Sequence, residues 1–366
     1  MAVAGAGRID IPGRGEVIRR HREAGGRVAG VFPIHYSRAL LRAFGILPVE
    51  VWGPPGRDYV ESDAHLQAYT CSIVRAGLAF QLEGGLDQAD LLVVPHGCDS
   101  LQGLGSVLLD FLDPGKPVLT LYPPRGEGPD AVQYFADELG AMRRRLQELT
   151  GLQPSDDELL ETIELEEMAD HALAELHAGR PFLSLSDREM YRVLRAREYL
   201  PAEDFLELSE GVLQLRTETR RDGTPLLISG VLPEPPEILD TIAEAGAWVA
   251  ADDFICTGRR LYPAGDSPKP LRRIAQSLLG APPDSTRGSS VEARVDHLIR
   301  MAREHGVKAA VFYIVKFCEP EQFYQPLLRK ALEQHGIRCV EIEVDISDPY
   351  PHQATTRLEA LLESVA

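Results

Sequence analysis

Val311-Phe-Tyr-Ile-Val-Lys-Phe-Cys-Glu-Pro320 decides the fold. Val311, Phe312, Tyr313, Ile314 and Val315 form a short apolar run of β-formers, the pattern of a strand covered on both faces. Lys316 and Phe317 carry the chain to the strand's end. Cys318 falls on the turn, and Glu319-Pro320 opens a helix predicted from Glu321 to His335. Ligands of open α/β sheets bind beyond the carboxyl ends of strands. Cys318 therefore stands where a ligand would.

The same design occurs earlier. Leu91-Leu-Val-Val-Pro95 reads as a second buried strand, followed directly by His96-Gly-Cys-Asp-Ser100 and a helical segment from Leu101 to Leu112. Cys71 lies in Tyr69-Thr-Cys-Ser-Ile-Val-Arg75, at the predicted start of another helix. By spacing alone these are three scattered single cysteines, lacking the tight pairing of a metal-binding C-x-x-C. Three reduced, partly buried thiols fit that pattern as well as a site does.

Taken in order, the chain alternates strands and helices, stops doing so, and then resumes. Gly26–Phe32, Leu47–Trp52, Leu91–Pro95 and Pro117–Tyr122 read as strands with helices between them, which implies a parallel sheet. Residues 1–129 form the first expected α/β domain. Residues 130–215 read as a helical bridging segment, with a capping-box signal at Ser155-Asp-Asp-Glu158. Its acidic run from Glu158 to Glu167 is expected on a solvated face. Residues 216–366 form a second α/β domain, with strands at Pro225–Gly230, Ala247–Ala251, Lys308–Lys316 and Cys339–Asp345. The expected fold is thus two Rossmann- or flavodoxin-like parallel-sheet domains joined by helices. Cys71 and Cys98 belong to the first domain and Cys318 to the second. A site shared by all three would lie in the cleft between domains, a favoured place for ligands.

Composition narrows the function. The 366 residues carry a formal net charge of −18, which disfavours nucleic acid as a partner. The one basic run, Arg143-Arg-Arg145, is expected on a solvated helix face. No stretch has the roughly 18 apolar residues of a membrane span. Met1-Ala-Val-Ala-Gly-Ala-Gly-Arg8 lacks the apolar core of a signal peptide. Five cysteines without close spacing argue against a disulfide framework. A cytoplasmic protein is expected.

Several phrases together resemble the subunits of 2-hydroxyacyl-CoA dehydratases and benzoyl-CoA reductases. They are Gly30-Val-Phe-Pro33 with Leu40-Leu-Arg-Ala-Phe-Gly-Ile-Leu-Pro48, Val94-Pro-His-Gly-Cys-Asp-Ser100, Asp252-Asp-Phe-Ile-Cys-Thr-Gly-Arg259, Val315-Lys-Phe-Cys-Glu319 and Thr356-Arg-Leu-Glu-Ala360. They fall in one order and span nearly the whole chain. The resemblance implies one 4Fe–4S cluster per chain, held by Cys71, Cys98 and Cys318, with one iron left without a protein thiolate. It implies one-electron reduction of an acyl-CoA thioester to a ketyl radical anion that sheds its 2-hydroxyl group, or, in the reductases, reduction of an aromatic ring. A non-catalytic electron-transfer subunit is a third possibility. The implied partners are a related second subunit or a second copy of the chain, and an ATP-dependent iron–sulfur activator. This chain has no G-x-x-x-x-G-K-[ST] loop of its own.

Other residues keep two readings. His96 and Asp99 flank Cys98; each could hydrogen-bond the cluster or handle the leaving hydroxyl, or be a turn residue. Arg259 and Asp253 fall in the family's Asp-Asp-x-x-Cys-x-Gly-x-Arg phrase. Arg259 could bind a phosphate or carboxylate of the acyl-CoA, or pair internally with Asp252 or Asp253. Cys256 is not a ligand by the resemblance, and Cys339 is expected in the core. Lys316 could raise a cluster's potential or simply snorkel. Two departures stand out. Ser37-Arg-Ala-Leu40 replaces a Pro-Glu-Glu-Leu-like stretch, removing an acidic residue placed near substrate. Ala281–Ser290 lacks the extra cysteine motif of many relatives, which disfavours a doubled cluster.

Overall fold

A computed structural model describes residues 9–126 and 128–365. The octapeptide Met1–Arg8, read above for a signal sequence, lies outside them. Two four-stranded parallel sheets form the frame. The first runs β2-β1-β3-β4, with β1 Arg27–Val31, β2 Ile46–Glu50, β3 Leu91–Pro95 and β4 Val118–Leu121. The second runs β6-β5-β7-β8, with β5 Thr224–Gly230, β6 Ala247–Phe254, β7 Ala309–Val315 and β8 Arg338–Val344. Counted within each half, both orders are 2-1-3-4. The halves therefore share one doubly wound topology, whose ligand crevice lies between the first and third strands. Cys98 follows β3 and Cys318 follows β7, the third strand of each half. They are equivalent positions of a repeated layout. β6 runs further than its expected end at Ala251, so Asp252 and Asp253 lie inside the strand.

The helices of the first half are α1 Arg14–Glu23, α2 Arg38–Ala43, α3 Val60–Asp63, α4 Ser72–Leu82 and α5 Asp99–Ser106. Four follow before β5: α6 Pro129–Thr150, α7 Asp156–Gly179, α8 Asp187–Ala196 and α9 Ala202–Leu213. The rest are α10 Glu237–Glu244, α11 Pro270–Leu279, α12 Val291–His305, α13 Glu319–Gln334 and α14 His352–Glu363. Ser155 with Glu158 and Ser186 with Glu189 form two complete capping boxes, which stop the backbone of α7 and α8 from fraying. No helix is long and apolar enough to cross a membrane among the described residues.

One core is shared by the two halves. Val28, Phe32 and Val49 of the first half, and Ile228, Val249, Val311 and Tyr313 of the second, belong to a single buried cluster. The other face of the first sheet packs Val31, Ile46 and Val93 on α6 and α7, and also on Ile274, Ala275 and Leu278 of α11. The other face of the second sheet is covered by Leu298 of α12 and Leu328 and Leu332 of α13. The acidic run of α7 is solvated at Glu158, Glu161 and Glu164, as expected, but departs at one residue. Glu166 is buried and pairs with Arg197 at 2.5 Å and Arg38 at 3.4 Å.

A buried ion pair also joins the halves. Glu50, at the end of β2, accepts from Arg260 at 2.6 and 2.8 Å, from the Tyr36 hydroxyl at 2.8 Å and from Trp52 Nε1 at 3.0 Å. Burial alone would raise the Glu50 pKa, but Arg260 and Arg38 outweigh it and hold the carboxyl ionised. Removing one partner of such a pair leaves a buried charge uncompensated, which costs about 3–5 kcal/mol. Glu50→Ala is expected to lower the urea midpoint accordingly. A change under about 0.5 kcal/mol would mean that the pair does not tie the halves.

Candidate functional site

Cys71, Cys98 and Cys318 each cap a helix. Cys71 is the residue before α4, Cys98 before α5 and Cys318 before α13, and none makes a side-chain capping bond. A helix start carries unpaired N–H groups and the positive end of the helix dipole, so an anion is favoured there. Three such ends bear on these sulfurs, two from the first half and one from the second. The backbone is strained at the same place. Among the described residues only His35 (φ 65°) and Phe317 (φ 62°) are non-glycine residues in the left-handed region, at a cost of roughly 1–2 kcal/mol each. His35 follows β1 and Phe317 immediately precedes Cys318. Lys316 lies over the Phe317 ring, 5.4 Å from its centre.

The thiols feel one another. Burial pushes Cys98 up to about 12, and the Cys71 thiol adds to the shift. Burial likewise pushes Cys318 well up, joined by Cys71, Glu321 and Cys98. Cys71 is raised by burial, opposed by the N–H groups of Val74 and Ile73 and by the Ser100 side chain. All three are thus neutral until a cation draws off their protons. Among the described residues no group of three or more His, Cys, Asp or Glu side chains is placed to hold a metal ion. The three thiols lie close enough to raise one another's pKa, each at the start of a different helix. Soft sulfur donors in an anion-favouring surround are the donor chemistry that a 4Fe–4S group takes. Cys256 and Cys339 stand apart. Cys256 is buried with its sulfur 3.9 Å from Thr257 Oγ1, and Cys339 lies on β8 against the Ile337 carbonyl.

Behind Cys318 lies a buried ionic network. Arg259 donates to Glu321 at 2.7 and 2.8 Å, to Asp253 at 3.0 Å and to Ser229 Oγ at 3.3 Å. Arg294 holds both oxygens of Asp253, at 2.8 and 2.5 Å. Burial would raise the Asp253 pKa, but Arg259 and Arg294 hold it far below the carboxylate range. Glu321 sits in the first turn of α13, one turn from Cys318. The network thereby fixes that helix start to β6 and its following loop. The internal pair between Arg259 and Asp253 is present, and both side chains are fully buried.

Residues 33–365 match the family described as 2-hydroxyglutaryl-CoA dehydratase, D-component. The chain belongs to this family. It is 26% identical over 365 residues to the (R)-2-hydroxyglutaryl-CoA dehydratase subunit beta of Acidaminococcus fermentans, covering 95% of each chain. It is 25% identical to the lactoyl-CoA dehydratase subunit beta of Anaerotignum propionicum, covering 93% of this chain and 92% of that one. It is 24% identical to a subunit of the benzoyl-CoA reductase of Thauera aromatica, covering 87% and 85%. The resemblance read from the sequence is that of this dehydratase family.

In this member of the dehydratase family, the residues flanking Cys98 point to different surroundings. The His96 ring lies edge-on to Tyr122, with centroids 4.3 Å apart, and close against Gly105 of α5. Both its nitrogens are buried without a hydrogen-bond partner. The Asp99 side chain is 80% exposed and faces Arg125 at 3.7 Å. His35 is a residue that sequence reasoning missed. Its ring packs on Gly97, beside Cys98, where a Cβ would lie 3.1 Å from Cδ2. Its Nε2 meets Thr286 Oγ1 of the second half at 2.8 Å. Thr286 Oγ1 in turn donates to Asp284 Oδ1 at 2.7 Å. The hydroxyl's one proton is spent on Asp284, so Nε2–H must be the donor, which fixes the neutral tautomer.

Burial lowers the pKa of His35, His177 and His297 to about 4 each. Unfolded histidines titrate near 6.5. A depressed folded value gives stability that is fully present above the unfolded pKa and is lost as pH falls towards the folded one. The chain is therefore expected to lose stability between about pH 6.5 and pH 4, by on the order of 3 kcal/mol for each histidine. Urea midpoints across that range check this, and His177→Gln should flatten the slope. A flat profile in the parent chain would contradict it.

Proposed function

We propose that this chain is the iron–sulfur subunit, of the beta type, of a 2-hydroxyacyl-CoA dehydratase. The observation that carries the reading is the meeting of three helix-capping cysteines from both halves at the crevice of a repeated doubly wound fold. Membership of the family makes the chain a dehydratase-type lyase. Cys71, Cys98 and Cys318 would hold one 4Fe–4S cluster. When bound, such a cluster supplies one low-potential electron for eliminating water from a 2-hydroxyacyl-CoA thioester. The chain's own residues do the rest. The starts of α4, α5 and α13 direct N–H groups at the sulfurs. The Arg259–Glu321 pair fixes the α13 end. The His35–Thr286 bond holds the Cys98 turn against the second half.

The relatives are named as subunits, and this chain is expected to work with a related subunit or a second copy. An ATP-dependent activator has to supply the electron. The test is reconstitution without oxygen, with partner, activator, ATP and reductant, on a 2-hydroxyacyl-CoA and on benzoyl-CoA. Enoyl-CoA from the hydroxy substrate is expected. Reduction of the aryl thioester alone would replace the dehydratase reading with the reductase one.

A further inference from the structure

A cavity of about 910 Å³ opens between the halves, away from the network behind Cys318. Its walls are apolar and aromatic, with Val28 and Val49 of the first sheet facing Leu232 and Leu239 of the second half, and Trp52 and Tyr199 at its sides. Three of its four lining cations come from one helix, the fourth being Arg14 of α1, which is held by Glu198. Arg188, Arg192 and Arg195 recur at i, i+4 and i+7 of α8 with Tyr191 between them, so all four share the face turned to the cavity.

These arginines are not equally engaged. Arg195 is neutralised by Glu198 at 2.7 Å and Glu234 at 2.6 Å. Arg188 makes a half-exposed pair with Asp240 at 2.5 Å, the kind of rim pair worth little in water. Arg192 makes no hydrogen bond or ion pair among the described residues. Of the acids on the wall, Glu50 is already taken by Arg260 and Glu234 by Arg195, and Asp87 stands exposed in the loop before β3, not on α8. The cavity thus combines a long apolar interior with an unspent guanidinium at its edge. That is complementary to one class of molecule, an extended acyl or aryl body ending in an oxyanion.

We propose that this cavity binds such an amphipathic anion, its oxyanion at Arg192 and Arg188 and its apolar body against Trp52, Val49 and Leu239. The shared chemistry belongs both to a free carboxylic acid and to an acyl thioester bearing phosphates. The site adjoins the thiols through Gly53 (φ 76°), which lines the cavity. A Cβ there would come 2.6 Å from the Ile73 carbonyl and 2.8 Å from Ala76 Cβ of α4, the helix that Cys71 caps. Filling the cavity does not require iron on those thiols, so the metal-free chain serves for the test.

The probe is 1-anilinonaphthalene-8-sulfonate, an aryl body with one anionic group. Trp52 is the reporter, because the other tryptophan, Trp248, lies in the separate core against α12. Saturable one-site binding that quenches Trp52 is expected. Arg192→Leu, at an exposed position, should weaken it roughly tenfold or more, the effect of losing one charge-assisted contact. Ile18→Phe, which narrows the cavity, should weaken it also, with the unfolding midpoint recorded to show that both variants fold. Octanoate and octanoyl-CoA are then added as competitors. Displacement by both alike assigns the site to free acids, and displacement by the thioester alone assigns it to phosphate-bearing esters. No binding, binding unchanged in two folded variants, or displacement by neither competitor would overturn the proposal.

Discussion

Cys318→Ser, purified without oxygen, is expected to lose most of its iron, and the parent chain is expected to carry about four irons and four sulfides. Serine keeps the size and the place before α13 but replaces a soft donor with a hard one. Two thiols would remain, both from the first half, and nothing from the second would reach the metal. Cys256→Ser provides the contrast. That thiol is buried beside Arg195, Glu198 and Asp252, and burial pushes its pKa far up. Its loss should leave iron content unchanged. About eight irons in the parent chain would point to a doubled cluster and to Cys256 as a further ligand. No iron in protected parent protein would remove the redox function altogether.

Arg259→Met is expected to destabilise the chain by about 3–5 kcal/mol, seen as a fall in the urea midpoint without a change in slope. The side chain is wholly buried between Glu321 and Asp253, with Asp284 at 3.8 Å. Taking it away leaves Glu321 without its cation, and Asp253 with Arg294 alone. Arg259→Lys should recover only part of the loss, because one ammonium cannot span the two carboxylates that the planar fork reaches together. Glu321 also accepts from Ser285 Oγ, so its helix is fixed on two sides. A loss under about 1 kcal/mol in Arg259→Met would show that water or a relaxed Arg294 compensates, and that the network does not set the position of α13.

Much of the fold was legible because its signals are local. The apolar runs at Leu91–Pro95 and Ala309–Val315 are strands, and Cys71, Cys98 and Cys318 fall at helix starts, as the residues around them indicate. What escaped the sequence depends on partners far along the chain. Nothing near Glu50 signals Arg260, 210 positions away. Nothing near His35 signals Thr286, 251 positions away. Its place just beyond β1, at the crevice, was the only available hint. The acidic neighbours of Glu166 indicate a solvated face, whereas Arg38 and Arg197 draw it inside. In α11 two central arginines mask, at the level of sequence, an apolar face formed by Ile274, Ala275 and Leu278.

The split of the thiols between halves has a consequence for how a living cell must make this protein. Ribosomes deliver the N-terminal half first, and it folds first. Cys71 and Cys98 emerge early, while Cys318 follows Cys98 by 220 positions (318 − 98). For most of its synthesis the nascent polypeptide offers iron only an incomplete set of donors. For a chain that takes iron on these three sulfurs, loading therefore waits until the second half has been made and packed on the first, and the machinery that delivers iron must recognise that two-part surface.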